Sequence, residues 1–132
     1  MTRSVFNRSQ FTPFGLWVRQ YCRDSNTGLS VTNLDYVFED FRKKRIMILE
    51  EKQNGGMLGY GQRLTFQIVH QGLQSANWNP VYEYWGVYVL QFPAGCDMPG
   101  PGMLLNNRLI TSEQLCDHCN FKQKFCDGLF NF

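Results

Sequence analysis

Asp35, Glu50 and Lys52 are the residue types that phosphodiester hydrolysis draws on, and their spacing can bring them together. Glu50, Glu51 and Lys52 close the apolar stretch RIMIL (45–49), and fourteen residues separate Asp35 from Glu50. Side chains along a strand alternate faces, so Glu50 and Lys52 share one and Glu51 takes the other. Asp35 and Glu50 lie symmetrically about the middle of the charged break FRKKR (41–45). An antiparallel hairpin through that break sets Asp35 opposite Glu50, or opposite Lys52 if the register slips by two.

Two carboxylates so close repel unless positive charge stands between them. Lys52 alone can supply it as a salt-bridged triad. Mg²⁺ supplies it better, because it takes oxygens from one or two carboxylates and keeps waters for a substrate phosphate. The backbone carbonyl of Glu51 adds a third protein oxygen, and Mn²⁺ is expected to substitute. A cation held there activates water and neutralises phosphodiester charge, while Lys52 orients the nucleophile or steadies the transition-state oxygens. The plainer reading has Glu50, Glu51 and Lys52 solvated at a strand end and Asp35 in a turn. Against it, the chain has five lysines and one acid-x-lysine, placed where an apolar strand ends and unpaired charge is costly.

The elements that must position these residues are legible in outline. SQFTPFGLWVRQYC (9–22) reads as a helix from Pro13, with Phe14, Trp17, Val18 and Tyr21 at helical spacing. GLSVTNLDYVFEDF (28–41) and RIMILEEK (45–52) read as hairpin strands. The pattern of Leu64, Phe66, Ile68, Val69 and Leu73 predicts a helix over 62–74, and YWGVYVLQF (84–92) predicts a strand buried on both faces. MLLNNRLI (103–110) reads as a short strand or hairpin around Asn106-Asn107, and Thr111 or Ser112 caps a last short helix. The order is mixed α/β rather than doubly wound.

At 132 residues, with 43% hydrophobic and 15% aromatic content, the chain is expected to fold as a single domain, 1–132. A net charge of +2 and a pI near 8.3 permit a nucleic-acid partner without arguing for one. No stretch is long and apolar enough to span a membrane, and MTRSVFNRSQ has no secretory core, so a cytoplasmic location is expected.

Asp35 followed by Glu50-Glu51-Lys52 on the next strand resembles the signature of the PD-(D/E)XK nuclease superfamily. The resemblance implies a restriction-endonuclease-like core of helix, three-strand meander, helix and strand over about residues 10–92. It implies a metal-dependent nuclease acting on DNA more than on RNA, with Asp35 and Glu50 as metal ligands and Lys52 as the catalytic lysine. Members often carry a glutamine on the helix after the lysine strand; Gln62 is the matching position, with Phe66 four residues on. The whole chain, including NNRLITSEQL, is also similar to small bacterial and phage members. Leu34 stands where many members have proline, and residues 9–22 hold no acid, which makes one metal ion the expected count. So short a chain leaves little room for a recognition domain, so a homodimer or larger complex is expected. The alternatives are a nuclease-fold protein that binds without cutting and a small zinc-stabilised interaction module centred on Cys96, Cys116, Cys119 and Cys126.

Other residues carry weaker expectations. Cys116 and Cys119 have the inner spacing of a zinc knuckle, and Cys126 and Cys96 (or His118) would have to complete a Zn²⁺ site. Small hydrophobic packing accounts for them more simply. RKKR (42–45) can grip phosphates or form a solvated tip. Trp78, Tyr82, Tyr84 and Trp85 can stack bases or pack the core, and His70 and His118 read as structural. Gly55, Gly56, Gly59 and Gly61 predict a mobile flap after Lys52.

Overall fold

A computed structural model describes residues 12–21, 34–75 and 81–128. Helix α1 spans Pro13–Tyr21. Strands β1 (Tyr36–Asp40) and β2 (Arg45–Lys52) form an antiparallel hairpin. Helix α2 (Tyr60–Ser75) crosses over to β3 (Glu83–Gln91), which lies parallel to β2. A minimal hairpin, β4 (Leu104–Leu105) and β5 (Arg108–Leu109), extends the sheet, and α3 (Ser112–Cys119) follows. The five strands stand in the order β1-β2-β3-β4-β5.

β2 and β3 are apolar along their lengths because both have a covered face on each side. On one face Met47, Leu49, Tyr88, Leu90 and Phe92 pack with Met103, Leu105, Leu115 and Phe121. On the other, Ile48, Val87 and Val89 meet Phe66 and Leu58, with Val69 and Leu73 of α2 against them. Strand alternation therefore places Glu50 and Lys52 on the α2 side and Glu51 on the α3 side.

The pairing is regular except at one bulge. Ile46 pairs with Tyr84 and Met47 with Gly86, leaving Trp85 as the extra residue. The slip lets Trp85 and Tyr88, three apart, both join the α3-side core. Gly86 takes φ +128, and a Cβ there would lie 2.5 Å from the Cα of Gly128, which bridges to it. Only glycine allows that crossing.

Several expectations are corrected here. The first hairpin strand begins at Tyr36, so Asp35 stands one residue outside the ladder rather than in it. Of the stretch 28–41, residues 28–33 lie outside the described residues, as does Trp78. Two strands, not three, separate α1 from α2 among the described residues. The short terminal hairpin turns on Asn106 (φ 48) and Asn107 (φ 66), as the pair of asparagines predicts. Thr111 caps α3, its hydroxyl accepting from the Gln114 amide while the Gln114 side chain accepts from the Thr111 amide. No described helix is long and apolar enough to cross a membrane.

Candidate functional site

The register pairs Tyr36 with Leu49. One step outward, that register places Asp35 across from Glu50. Asp35 does not extend the ladder with its main chain; its carboxylate Oδ2 accepts the Glu51 amide at 3.0 Å. The amide and carbonyl of one strand residue point to the same edge, so the Glu51 carbonyl also turns toward Asp35. The Glu51 side chain lies on the opposite face, where Tyr36 Oη donates to its Oε1 at 3.4 Å.

Glu50 is 2% exposed. Its Oε2 accepts from Gln62 Nε2 at 3.3 Å and lies 3.7 Å from Lys52 Nζ, whereas its Oε1 is buried without a hydrogen-bond partner. Burial, and then the adjoining Asp35 carboxyl, push Glu50 up to about 9 against the opposing pull of Lys52. Desolvation outweighs the ion pair, so Glu50 holds its proton at neutral pH.

Gln62 is fixed by its neighbours. Lys52 Nζ donates to its Oε1 at 2.8 Å and the Gly59 amide donates to the same atom at 3.2 Å. Both neighbours are donors, so the amide oxygen must face them and the nitrogen must face Glu50. Gln62 enters the cluster from the first turn of α2, and Phe66, one turn on, is fully buried beneath it. The four residues picked out in the sequence thus converge, from the residue before β1, from β2 and from α2, at the C-terminal end of β2.

The stretch after Lys52 is not a free flap. Asn54 (φ 53) and Gly55 (φ 74) form a tight turn with Gly56 donating to Gln53. Asn54 and Gly55 amides donate to Cys96 and Phe92 carbonyls, the Gly95 amide donates to Asn54 Oδ1, and Gln91 Nε2 donates to the Gly56 carbonyl. The expectation of mobility fails because the loop after β3 supplies those partners. Gln91, which pairs with Lys52, was not foreseen as part of the site; only the parallel register reveals it.

RKKR occupies the other end of β2. Lys43 Nζ and Arg45 Nη1 donate to the Phe121 carbonyl, Arg45 pairs with Glu83, and Lys44 lies over the Tyr82 ring. The aromatic cluster is also committed: Trp85 is 6% exposed, Tyr82 Oη donates to Glu39, and Tyr84 Oη meets His70 Nδ1 at 2.9 Å.

The carboxylates of Asp35 and Glu50, the latter with its buried Oε1 free of a hydrogen bond, and the Glu51 carbonyl are oxygen donors of the kind a hydrated Mg²⁺ or Mn²⁺ takes. Among the described residues no three His, Cys, Asp or Glu side chains converge as a metal-holding group. His118, beside the cysteines, accepts the Phe125 amide on Nδ1 and packs its ring on Trp85 and Tyr88. The chain matches no family model, no curated protein and no solved structure.

Proposed function

We propose that this chain is a metal-dependent nuclease that hydrolyses phosphodiester bonds, DNA being the favoured substrate. The observation that carries the reading is Glu50: a carboxyl 2% exposed, with one oxygen unpartnered, between Asp35 and the Lys52–Gln62 pair. A fold that buries an acid at a raised pKa gives up stability, and functional sites are where such arrangements concentrate.

Asp35, Glu50 and the Glu51 carbonyl would hold Mg²⁺ or Mn²⁺, which supplies a polarised phosphate and a more acidic water when bound. Lys52 keeps its ammonium 2.8 Å from Gln62 Oε1, so Gln62 sets the direction of its remaining N–H bonds. Those bonds are the ones available to a phosphate oxygen or to the attacking water. Gln62 also holds Glu50 Oε2, leaving Oε1 as the freer oxygen.

Incubation with single-stranded, duplex and branched DNA and with RNA, in Mg²⁺ or Mn²⁺, tests this. Wild type should cut, and Glu50→Ala and Lys52→Ala should each lose about a hundredfold or more. No cleavage by wild type with either ion would refute the enzymatic reading. The second reading, a protein of the same architecture that binds without cutting, draws on the way Lys52, Gln62 and Glu50 satisfy one another. It predicts nucleic-acid or protein binding that Lys52→Ala leaves unchanged.

A further inference from the structure

Tyr82, Tyr84 and Trp85, which the sequence offers for base stacking, are committed to partners within the fold. An aromatic ring outside that cluster stands beside the candidate site. Tyr60, the first residue of α2, is 80% exposed, the most open of the described aromatic side chains. It directly follows Gly59, whose amide donates to Gln62 Oε1 at 3.2 Å, the atom that also receives Lys52 Nζ. The ring therefore springs from the residue next to the one that fixes the Lys52–Gln62 pair.

The segment that carries Tyr60 is anchored. Leu58, two residues earlier, is buried in the α2-side core with Phe66 and Val89. The Gly56 amide donates to the Gln53 carbonyl, and the Gly56 carbonyl accepts from Gln91 Nε2. The backbone beneath the ring is thus set before a ligand arrives, and a tyrosine has only two side-chain torsions to give up on stacking.

The reacting groups lie deeper than the ring. The Glu50 side chain is 3% exposed and that of Lys52 19%. A stiff duplex resists the bending that would bring a phosphate down to them. An unpaired strand turns at each nucleotide and can splay its bases onto exposed aromatic faces. The first turn of α2 holds no acid to repel the neighbouring phosphates.

We infer that Tyr60 is a stacking platform for one unpaired nucleobase beside the scissile phosphate, so that the preferred substrate is a single strand rather than an intact duplex. The phosphate's position comes from the nuclease reading; Tyr60 adds the conformation of the strand that carries it.

The test is equilibrium binding of a single-stranded DNA carrying a 2-aminopurine base, whose fluorescence falls on stacking against an aromatic ring. No divalent cation is added, so nothing is cut. Because Tyr60 is exposed, Tyr60→Ala and Tyr60→Phe should melt as wild type does. Wild type should quench the probe and bind it about tenfold more tightly than the matching duplex. Tyr60→Ala should bind the single strand about tenfold more weakly and without quenching, and Tyr60→Phe should keep both. A wild type that binds duplex as tightly as single strand, or binds no single strand, overturns the proposal. So does quenching that survives Tyr60→Ala or is lost in Tyr60→Phe. Catalysis is read separately: Tyr60-dependent quenching without cleavage in Mg²⁺ or Mn²⁺ supports the platform and refutes the nuclease. Cleavage of duplex with no dependence on Tyr60 does the reverse.

Discussion

The carboxylate of Asp35 accepts the backbone amide of Glu51 at 3.0 Å, so the acid that approaches Glu50 is also the pin that ends the β1–β2 ladder. One residue therefore has a structural and a chemical task, and substitution separates them. Asp35→Asn keeps an acceptor and removes a charge beside Glu50; it should fold at least as stably as wild type. Asp35→Ala leaves the amide without its partner and should cost about 1–2 kcal/mol in denaturant unfolding. Under the proposed nuclease function both should abolish cleavage. Equal stability of the two variants would mean that the hydrogen bond does not hold the strand end.

Glu50 makes the protein less stable as pH rises. Its carboxyl moves from 4.5 in the unfolded chain to about 9 in the fold. Below 4.5 both states are protonated and the native state has its full share of this contribution. From 4.5 upward the unfolded chain loses its proton first, so stability falls until about pH 9. Glu50→Gln keeps a neutral group of the same shape and removes the penalty. At pH 7, with no divalent cation added, it should stabilise the protein by about 3 kcal/mol, counting about 1.4 kcal/mol per unit. Thermal melts should show the gain widening from pH 5 to pH 8; a gain independent of pH would contradict the burial argument.

His118 acts in the opposite direction. Burial, helped by Lys124, pushes its imidazole down from 6.5 to about 4. Above 6.5 both states are neutral; between 6.5 and 4 the unfolded chain takes a proton that the native ring refuses. Stability should fall through that window, by up to about 3 kcal/mol at pH 4. Histidine ring shifts followed by NMR should leave His118 neutral at pH 5.5. The Phe125 amide on Nδ1 predicts the Nε2-protonated tautomer in the same spectra.

Gly86→Ala should be among the most damaging single-methyl changes in the chain. Its Cβ would meet Gly128 main chain at 2.5–3.0 Å, from a φ that side chains rarely adopt. A loss of about 2–4 kcal/mol is expected, with Gly128→Ala giving a comparable loss from the other side. Normal stability in both would show that the crossing of 128 over 86 does not form.

The local features of this protein were legible in its residues. RIMILEEK announces β2 residue for residue, and the symmetry of Asp35 and Glu50 about the charged break anticipates the register seen in the hairpin. What local pattern could not show was set by partners far along the chain. Residues 53–56 read as mobile because the carbonyls that receive them belong to Phe92 and Cys96. RKKR reads as a phosphate grip or a solvated tip, yet the Phe121 carbonyl, 78 positions from Lys43 and 76 from Arg45, takes a hydrogen bond from each. Asp35 was assigned to a strand because its neighbours favour one; it leaves the ladder since its side chain competes for the same amide that a strand partner would use.

The placement of RKKR and Glu50 at opposite ends of one strand also gives the molecule a length scale. Five residues from Arg45 to Glu50 span about 17 Å, and the turn beyond Arg45 lengthens the gap. The cations at the far end are spoken for by the Phe121 carbonyl, the Glu83 carboxylate and the Tyr82 ring, so they pin the sheet to the segment after α3 and leave Lys52 as the ammonium beside the acids.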